Sequence, residues 1–169
     1  MANLVNFVLF QALWFAAVAG GARGEVWWGP AALAPCLVGF LWTAPDVRRS
    51  LVFVLTVGLV GTLLDTVLLR LGLLGYESGA DTFGLGLVPP WIVSLWVGFA
   101  TLPGRSMGWL ASRPGAAAVF GLVGGPLSFM AGERMGATAW AGDPWAGAVA
   151  LGIEYALLMP LLLRLGART

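Results

Sequence analysis

Six apolar runs, at about 4–22, 28–44, 50–75, 89–103, 115–138 and 145–165, take up most of this chain and decide what it can fold into. The hydrocarbon core of a bilayer is about 30 Å thick and takes about 20 apolar residues of helix to cross, so runs of this length, parted by short charged or turn-forming segments, read as transmembrane helices. Six of them use nearly all of the 169 residues and leave no room for a soluble domain. The fold expected is all-α, a single domain over 1–169: a polytopic membrane protein of six transmembrane helices. Only 10% of the residues are charged, against roughly 25% in ordinary soluble domains. "FAAVAGGA" has small residues like those of a signal cleavage point, but no Lys or Arg precedes the first apolar run, so it is read as a retained helix.

The second and fourth runs are short and bracketed by proline, "WGPAALAPCLVGFLWTAP" and "PPWIVSLWVGFATLP". Proline removes a backbone donor, and tilt or local unwinding is expected there in place of a straight rod. Arg48 and Arg49, Arg105 and Arg113, and Arg164 and Arg168 fall in three segments that alternation puts on one side. By the positive-inside rule that side is cytoplasmic, with both termini. The opposite loops carry mainly Glu25, Glu77, Asp81 and Asp143 against Arg23. Trp27, Trp28, Trp91, Trp140 and Trp145 gather at the outer ends of runs, Trp42 and Trp109 at the inner ones, as an interfacial belt or as an aromatic lid over an outward pocket. "GLVGTLLDTVLLRLG" in the third run and "GLVGGPLSFMAGERMG" in the fifth, with "VGFLWTAPDVR" and "VGFATLPGR", hint at a parallel internal repeat.

All nine basic residues are Arg, and the chain has no Lys and no His. That excludes His-ligated haem, HExxH zinc sites, Ser-His dyads and lysine Schiff bases. The single cysteine, Cys36, reads as a small buried apolar residue. No Walker loop, GxSxG or Rossmann glycine pattern occurs, and no cofactor or metal is expected. The basic segment "PGRSMGWLASRPG" suits a turn lying on anionic lipid or a partner and is too short to bind nucleic acid specifically.

Small residues recur on single helix faces: Gly58, Gly61, Thr62, Asp65 and Gly72 in the third run, Gly121, Gly125, Ser128 and Gly132 in the fifth, Ala12, Ala16 and Gly20 in the first. In lipid such faces let backbones approach closely. A central charge costs on the order of 2.5–3.5 kcal/mol, so Asp65, Glu133, Arg134 and Glu154 need partners or a watery cavity. Asp65, Glu133, Arg70 and Arg134 fall at one depth in their helices, with Glu154 deeper. Pairing three acids with two arginines leaves one carboxyl over; Glu154 is expected to hold a proton or to bond Asn6, Gln11 or Ser128. The network either fixes helix register or forms an outward polar pocket.

"NFVLFQALWF", "GTLLDTVLL", "PPWIVSLWVGFATL", "GGPLSFMAGERMGA" and the final "MPLLL" resemble the bacterial inner-membrane family termed domain of unknown function 2878, over nearly the whole chain. That resemblance implies no catalytic residues; its members' neighbourhood with fatty-acid-modifying enzymes such as cyclopropane synthases points toward lipid. Size and "GTLLDTVLLRLGLLGY" are more loosely similar to the substrate-binding components of energy-coupling-factor transporters and to the scaffold protein MreD, and Ala12 and Ala16 resemble the docking face of such components.

The leading expectation is a non-enzymatic protein that binds or transports a small amphiphilic or lipid-derived molecule through Asp65, Ser128, Glu133, Arg134 and Glu154, with Asn6, Gln11, Arg70 and Trp91 in support. Arg134 would receive an anionic head group. The alternatives are a membrane enzyme or accessory factor in lipid modification, with Asp65 or Glu154 as general acid or base, and a scaffold holding a membrane-protein partner or a second copy. Membrane lipid and a small molecule are the expected contacts.

Overall fold

The computed structural model describes residues 1–77 and 84–167; Asp81 and Arg168 lie outside the described residues. Six helices follow one another: α1 (Ala2–Gly21), α2 (Trp28–Trp42), α3 (Val47–Arg70), α4 (Pro90–Phe99), α5 (Pro114–Arg134) and α6 (Pro144–Gly166). Two strands, β1 (Leu74–Tyr76) and β2 (Thr138–Trp140), follow α3 and α5. Helices α1, α3, α5 and α6 are long and apolar enough to cross a membrane. With 15 and 10 residues, α2 and α4 reach only about 22 and 15 Å at 1.5 Å per residue.

Each boundary has a local cause. Asp46 accepts the Arg49 N–H at 3.0 Å and Asp143 the Trp145 N–H at 3.0 Å, capping α3 and α6. Proline opens α4, α5 and α6, where its missing donor is an orphan anyway. Helices α3 and α5 end alike. Gly72 (φ 71°) and Gly136 (φ 81°) turn left-handed, and the next residue reaches back in each case, Leu73 to the Leu68 carbonyl at 3.0 Å and Ala137 to that of Gly132 at 2.9 Å. Each turn runs straight into its strand, and the strands pair antiparallel with Gly75 opposite Ala139. The following helices both begin Pro-Trp, at Pro90 and Pro144. The units α3–β1–α4 and α5–β2–α6 thus share one order of parts: helix, glycine turn, short strand and a helix that begins Pro-Trp. The sequence likeness between the third and fifth runs falls on their first helices, whereas the strands, three residues each, left no periodic signal.

Helix α4 is the hub, packing on α1, α2 and α3, with Trp91 and Trp96 only 1% and 4% exposed. Glycines make that approach possible. A Cβ on Gly61 would overlap the Trp96 indole, one on Gly58 would lie 2.6 Å from Val97 Cγ2, and one on Gly98 would strike Leu13. The α3 stripe of Gly58, Gly61, Thr62 and Asp65 is buried, while Gly72 lies beyond the helix. On α1 the packing face is Leu13, Ala17, Gly20 and Gly21; Ala12 is exposed and Ala16 half-buried. Leu13, filling the notch at Gly98, turns α1 away from the face expected. Trp91 also departs from the belt: its indole is pressed against Gly21, and its backbone and Cβ against Gly29. Trp27, Trp28, Trp42, Trp109 and Trp145 remain exposed.

Helix α4 unwinds after Phe99, and Thr101, Leu102 and Pro103 stay buried as turns. Asn6 on α1 serves this broken backbone, donating to the Thr101 carbonyl and Oγ1 at 3.3 and 3.1 Å and accepting from Ser106 Oγ at 2.9 Å. Non-helical backbone at such a place needs neighbours of this kind. Helices α5 and α6 pack along each other, with Gly125 facing the Tyr155 ring, and meet the rest chiefly through α3 and the strands.

Replacing Gly61 by Ala should lower the stability of the purified protein by about 1–3 kcal/mol through overpacking against Trp96. Gly115→Ala, where a Cβ meets nothing within 4 Å, should leave it unchanged. Equal denaturation midpoints for the two variants would refute this account of the α3–α4 contact.

Candidate functional site

Asp65 lies five residues before the end of α3, about 7 Å deeper along the helix than Arg70. Its side chain is 5% exposed, and the Trp96 indole N–H donates to Oδ2 at 2.8 Å. The other oxygen, Oδ1, accepts no hydrogen bond. Gly61, one turn earlier on α3, is the seat that lets the indole lie flat enough for this bond. A buried carboxyl oxygen without a donor is costly, and a ligand is one way to satisfy it.

Beside Asp65 opens a chamber of about 200 Å³. Its walls are Phe10 and Trp14 from α1, Ile92, Leu95, Trp96 and Phe99 from α4, Phe120, Gly124, Gly125 and Ser128 from α5, and Tyr155 and Met159 from α6. The rings support one another: Trp96 and Tyr155 stand 5.1 Å apart, Phe10 and Phe99 6.1 Å. A smaller space of about 50 Å³ continues past Asp65 toward Tyr76 and Thr138 under the strand pair.

A groove flanks the chamber on one side and shares Phe10, Trp14 and Ser128 with its wall. Helices α1 and α5 do not pack along each other; Trp14 Nε1 bridges them by donating to Ser128 Oγ at 3.0 Å. Outside that bridge the groove is lined by Phe10, Gln11, Phe15 and Leu127. It extends along α5 past Met130 and Ala131 to Arg134.

The sequence-derived residues thus divide. Asp65 and Ser128 line the chamber. Glu154 sits beside Tyr155, close enough to Asp65 for their charges to interact, and its Oε1 has no partner. Glu133 and Arg134 are exposed at the end of α5, where Glu133 accepts from Trp140 Nε1 at 3.1 Å. They do not join Asp65 and Glu154 in one network, and among the described residues no ion pair links the four. The last turn of α5 lets both side chains reach outward, which is cheaper than burying them. Asn6 and Ser128 bond elsewhere than to Glu154, and Gln11 faces the groove. Arg70 donates to the carbonyls of Leu85 and Gly86 at 3.1 and 3.3 Å, tying down the connection before α4. Trp91 is a packing residue at the α1–α2–α4 junction, although it also borders the smaller space.

Sequence reasoning missed Trp14, Trp96, Phe99 and Tyr155. A signal existed for two of them: Trp14 and Trp96 are the tryptophans that fall within apolar runs and not at their ends.

Residues 3–161 match the family described as Protein of unknown function (DUF2878). The chain belongs to that family. No curated protein and no solved structure matches it, and these comparisons lend no support to the likeness to energy-coupling-factor components or MreD. The DUF2878 chain is, by its four long apolar helices, a multi-pass membrane protein.

Trp96→Phe should destabilise the protein by about 1–3 kcal/mol, because Asp65 then keeps two unpartnered buried oxygens. Glu133→Gln, at the exposed end of α5, should have little effect on the same denaturation curve. Equal losses would show that the Trp96–Asp65 bond is not the buried anchor described.

Proposed function

We propose that this protein crosses the bacterial inner membrane six times, with both termini cytoplasmic, and binds or transports a small amphiphilic or lipid-derived molecule. The observation that carries the reading is a largely apolar chamber with a buried, half-satisfied carboxyl, flanked by a groove between two helices that do not pack along each other. A molecule dissolved in lipid reaches such a chamber without passing through water. Two further features support it. The chamber lies where α4, from a helix–strand–helix unit, meets α5 and α6 of a similarly ordered one, and transporter folds built from repeats hold their substrates at such junctions. The helix ends near Arg48, Arg49, Arg105, Arg113 and Arg164 carry most of the positive charge, so α2 and the broken α4 segment complete the count of crossings.

The five residues singled out from sequence take separate places in this reading. Asp65, Glu154 and Ser128 serve the chamber; Glu133 and Arg134 stand at the mouth, at head-group height, where a guanidinium meets the phosphates of surrounding lipid. An anionic group carried inward would meet the Asp65 carboxyl, with Glu154 within electrostatic reach, and no base among the described lining residues, so Arg134 acts at entry and not as the inner receptor.

Gly124 borders the chamber, and a Cβ there meets only the Phe120 ring, at 3.8 Å. Gly124→Leu should therefore fold normally and fill the space. Native mass spectrometry of protein gently extracted from its own host should find a lipid-like adduct on the wild type and lose it in Gly124→Leu; the same adduct on both would defeat the reading. Orientation is tested in a Cys36→Ala background. A membrane-impermeant thiol reagent should label Glu25→Cys in intact cells and leave Ser112→Cys untouched until the cells are opened.

A further inference from the structure

The chamber specifies the chemistry of what it holds. We infer that its occupant is an alkylated ammonium group, carried by an amphiphile whose chain leaves through the gap between α1 and α5. This rests on the chamber being a binding site, and goes beyond it by assigning the sign and shape of the head group.

Three observations combine. Asp65 lines the chamber and is 5% exposed; its Oδ1 is enclosed by protein with no hydrogen-bond partner among the described residues, while Oδ2 is fixed by Trp96. Glu154, with an unpartnered oxygen of its own, adds a second carboxyl within electrostatic reach. Among the described residues no Arg lines the chamber to neutralise them, and the chain has neither Lys nor His. A cation is thus the missing partner. About half of the remaining wall is aromatic, and Trp14, Trp96, Phe99 and Tyr155 bring rings of the kind that attract an ammonium most strongly when water is excluded. Such boxes recognise methylated ammonium, whose charge is spread over apolar methyls and needs few hydrogen-bond acceptors. A bare metal ion would want several oxygens, and the described residues contain no group of three or more His, Cys, Asp or Glu that could hold one.

Size gives the rest. A cavity of about 150 Å³ takes one benzene, whereas sites for whole drug-sized ligands run to about 300–1,000 Å³. At about 200 Å³ the chamber holds a head group and not the tail. The groove past Phe15 and Leu127 offers the tail an apolar path into lipid.

The experiment uses the full chain in lipid nanodiscs, titrated with decyltrimethylammonium, decanoate, decyl maltoside and tetramethylammonium, with bound copies counted by native mass spectrometry. Decyltrimethylammonium should bind saturably and more tightly than the other three. Asp65→Asn, nearly isosteric and still able to accept from Trp96, should weaken it about thirty-fold or more, as loss of a buried charge partner does. Trp14→Leu, at the half-buried mouth, should weaken it about threefold while sparing decyl maltoside, and decides the matter if Asp65→Asn does not fold. Decanoate binding as tightly as the cation, or an affinity for the cation indifferent to both substitutions, would overturn the inference. Tetramethylammonium binding as tightly as the decyl compound would overturn the amphiphile. If decyl maltoside binds in the chamber and the cation does not, the ammonium fails while the chamber reading stands. If no decyl probe binds, both fall.

Discussion

The Trp96 indole, laid on Gly61 and donating to Asp65 at 2.8 Å, is the contact on which the rest of the molecule depends. It seats a ten-residue helix that is too short to hold its place by length alone. It fixes one oxygen of a deeply buried carboxyl and leaves the other buried without a hydrogen-bond partner among the described residues. The same ring reaches across to Tyr155 at 5.1 Å, so the wall of the chamber and the joint between the two halves of the bundle are made by one side chain. A larger residue than glycine at position 61 would push the ring off α3 and break all three relations together.

The chamber exists because the two helix–strand–helix units are completed differently. In the second, α6 runs for 23 residues and packs along α5. In the first, α4 stops after ten and gives way to turns held by Asn6. Helix α1 covers α4 and does not pack along α5, so the seam on that side is bridged by the Trp14–Ser128 bond. A polar site beside an apolar groove follows from packing, without any residue dedicated to making a channel.

Much of the fold was legible because lipid imposes simple rules. Apolar run lengths marked all six helices to within a few residues, and proline at both ends of the fourth run pointed to its unwinding. The glycine stripe on α3 identified the buried face that carries Asp65, and the likeness of the third and fifth runs falls on two helices that end in the same glycine turn. Depth along a helix was a poorer guide. Asp65 and Glu133 were placed at one level by counting residues, yet a helix end lets Glu133 and Arg134 turn outward while Asp65, a turn and a half lower, has nowhere to go. The small-residue face of α1 was displaced by one position because Leu13, filling the notch above Gly98, outweighed the alanine spacing. The aromatic lining stayed hidden for another reason: in an apolar helix a ring that packs and a ring that lines a cavity look the same until the opposing helix is known.

Chemical access to Asp65 from the lipid phase is the most direct measure of this account. Membranes containing the protein would be treated with diisopropylcarbodiimide, which partitions into lipid and modifies buried carboxyls, or with a charged water-soluble carbodiimide, and the peptide spanning 50–70 read by mass spectrometry. The account predicts modification of Asp65 by the apolar reagent alone, suppressed when Gly124→Leu fills the chamber. An Asp65 that stays unmodified by the apolar reagent, or reacts equally with the charged one, would contradict a lateral doorway leading to a buried acid.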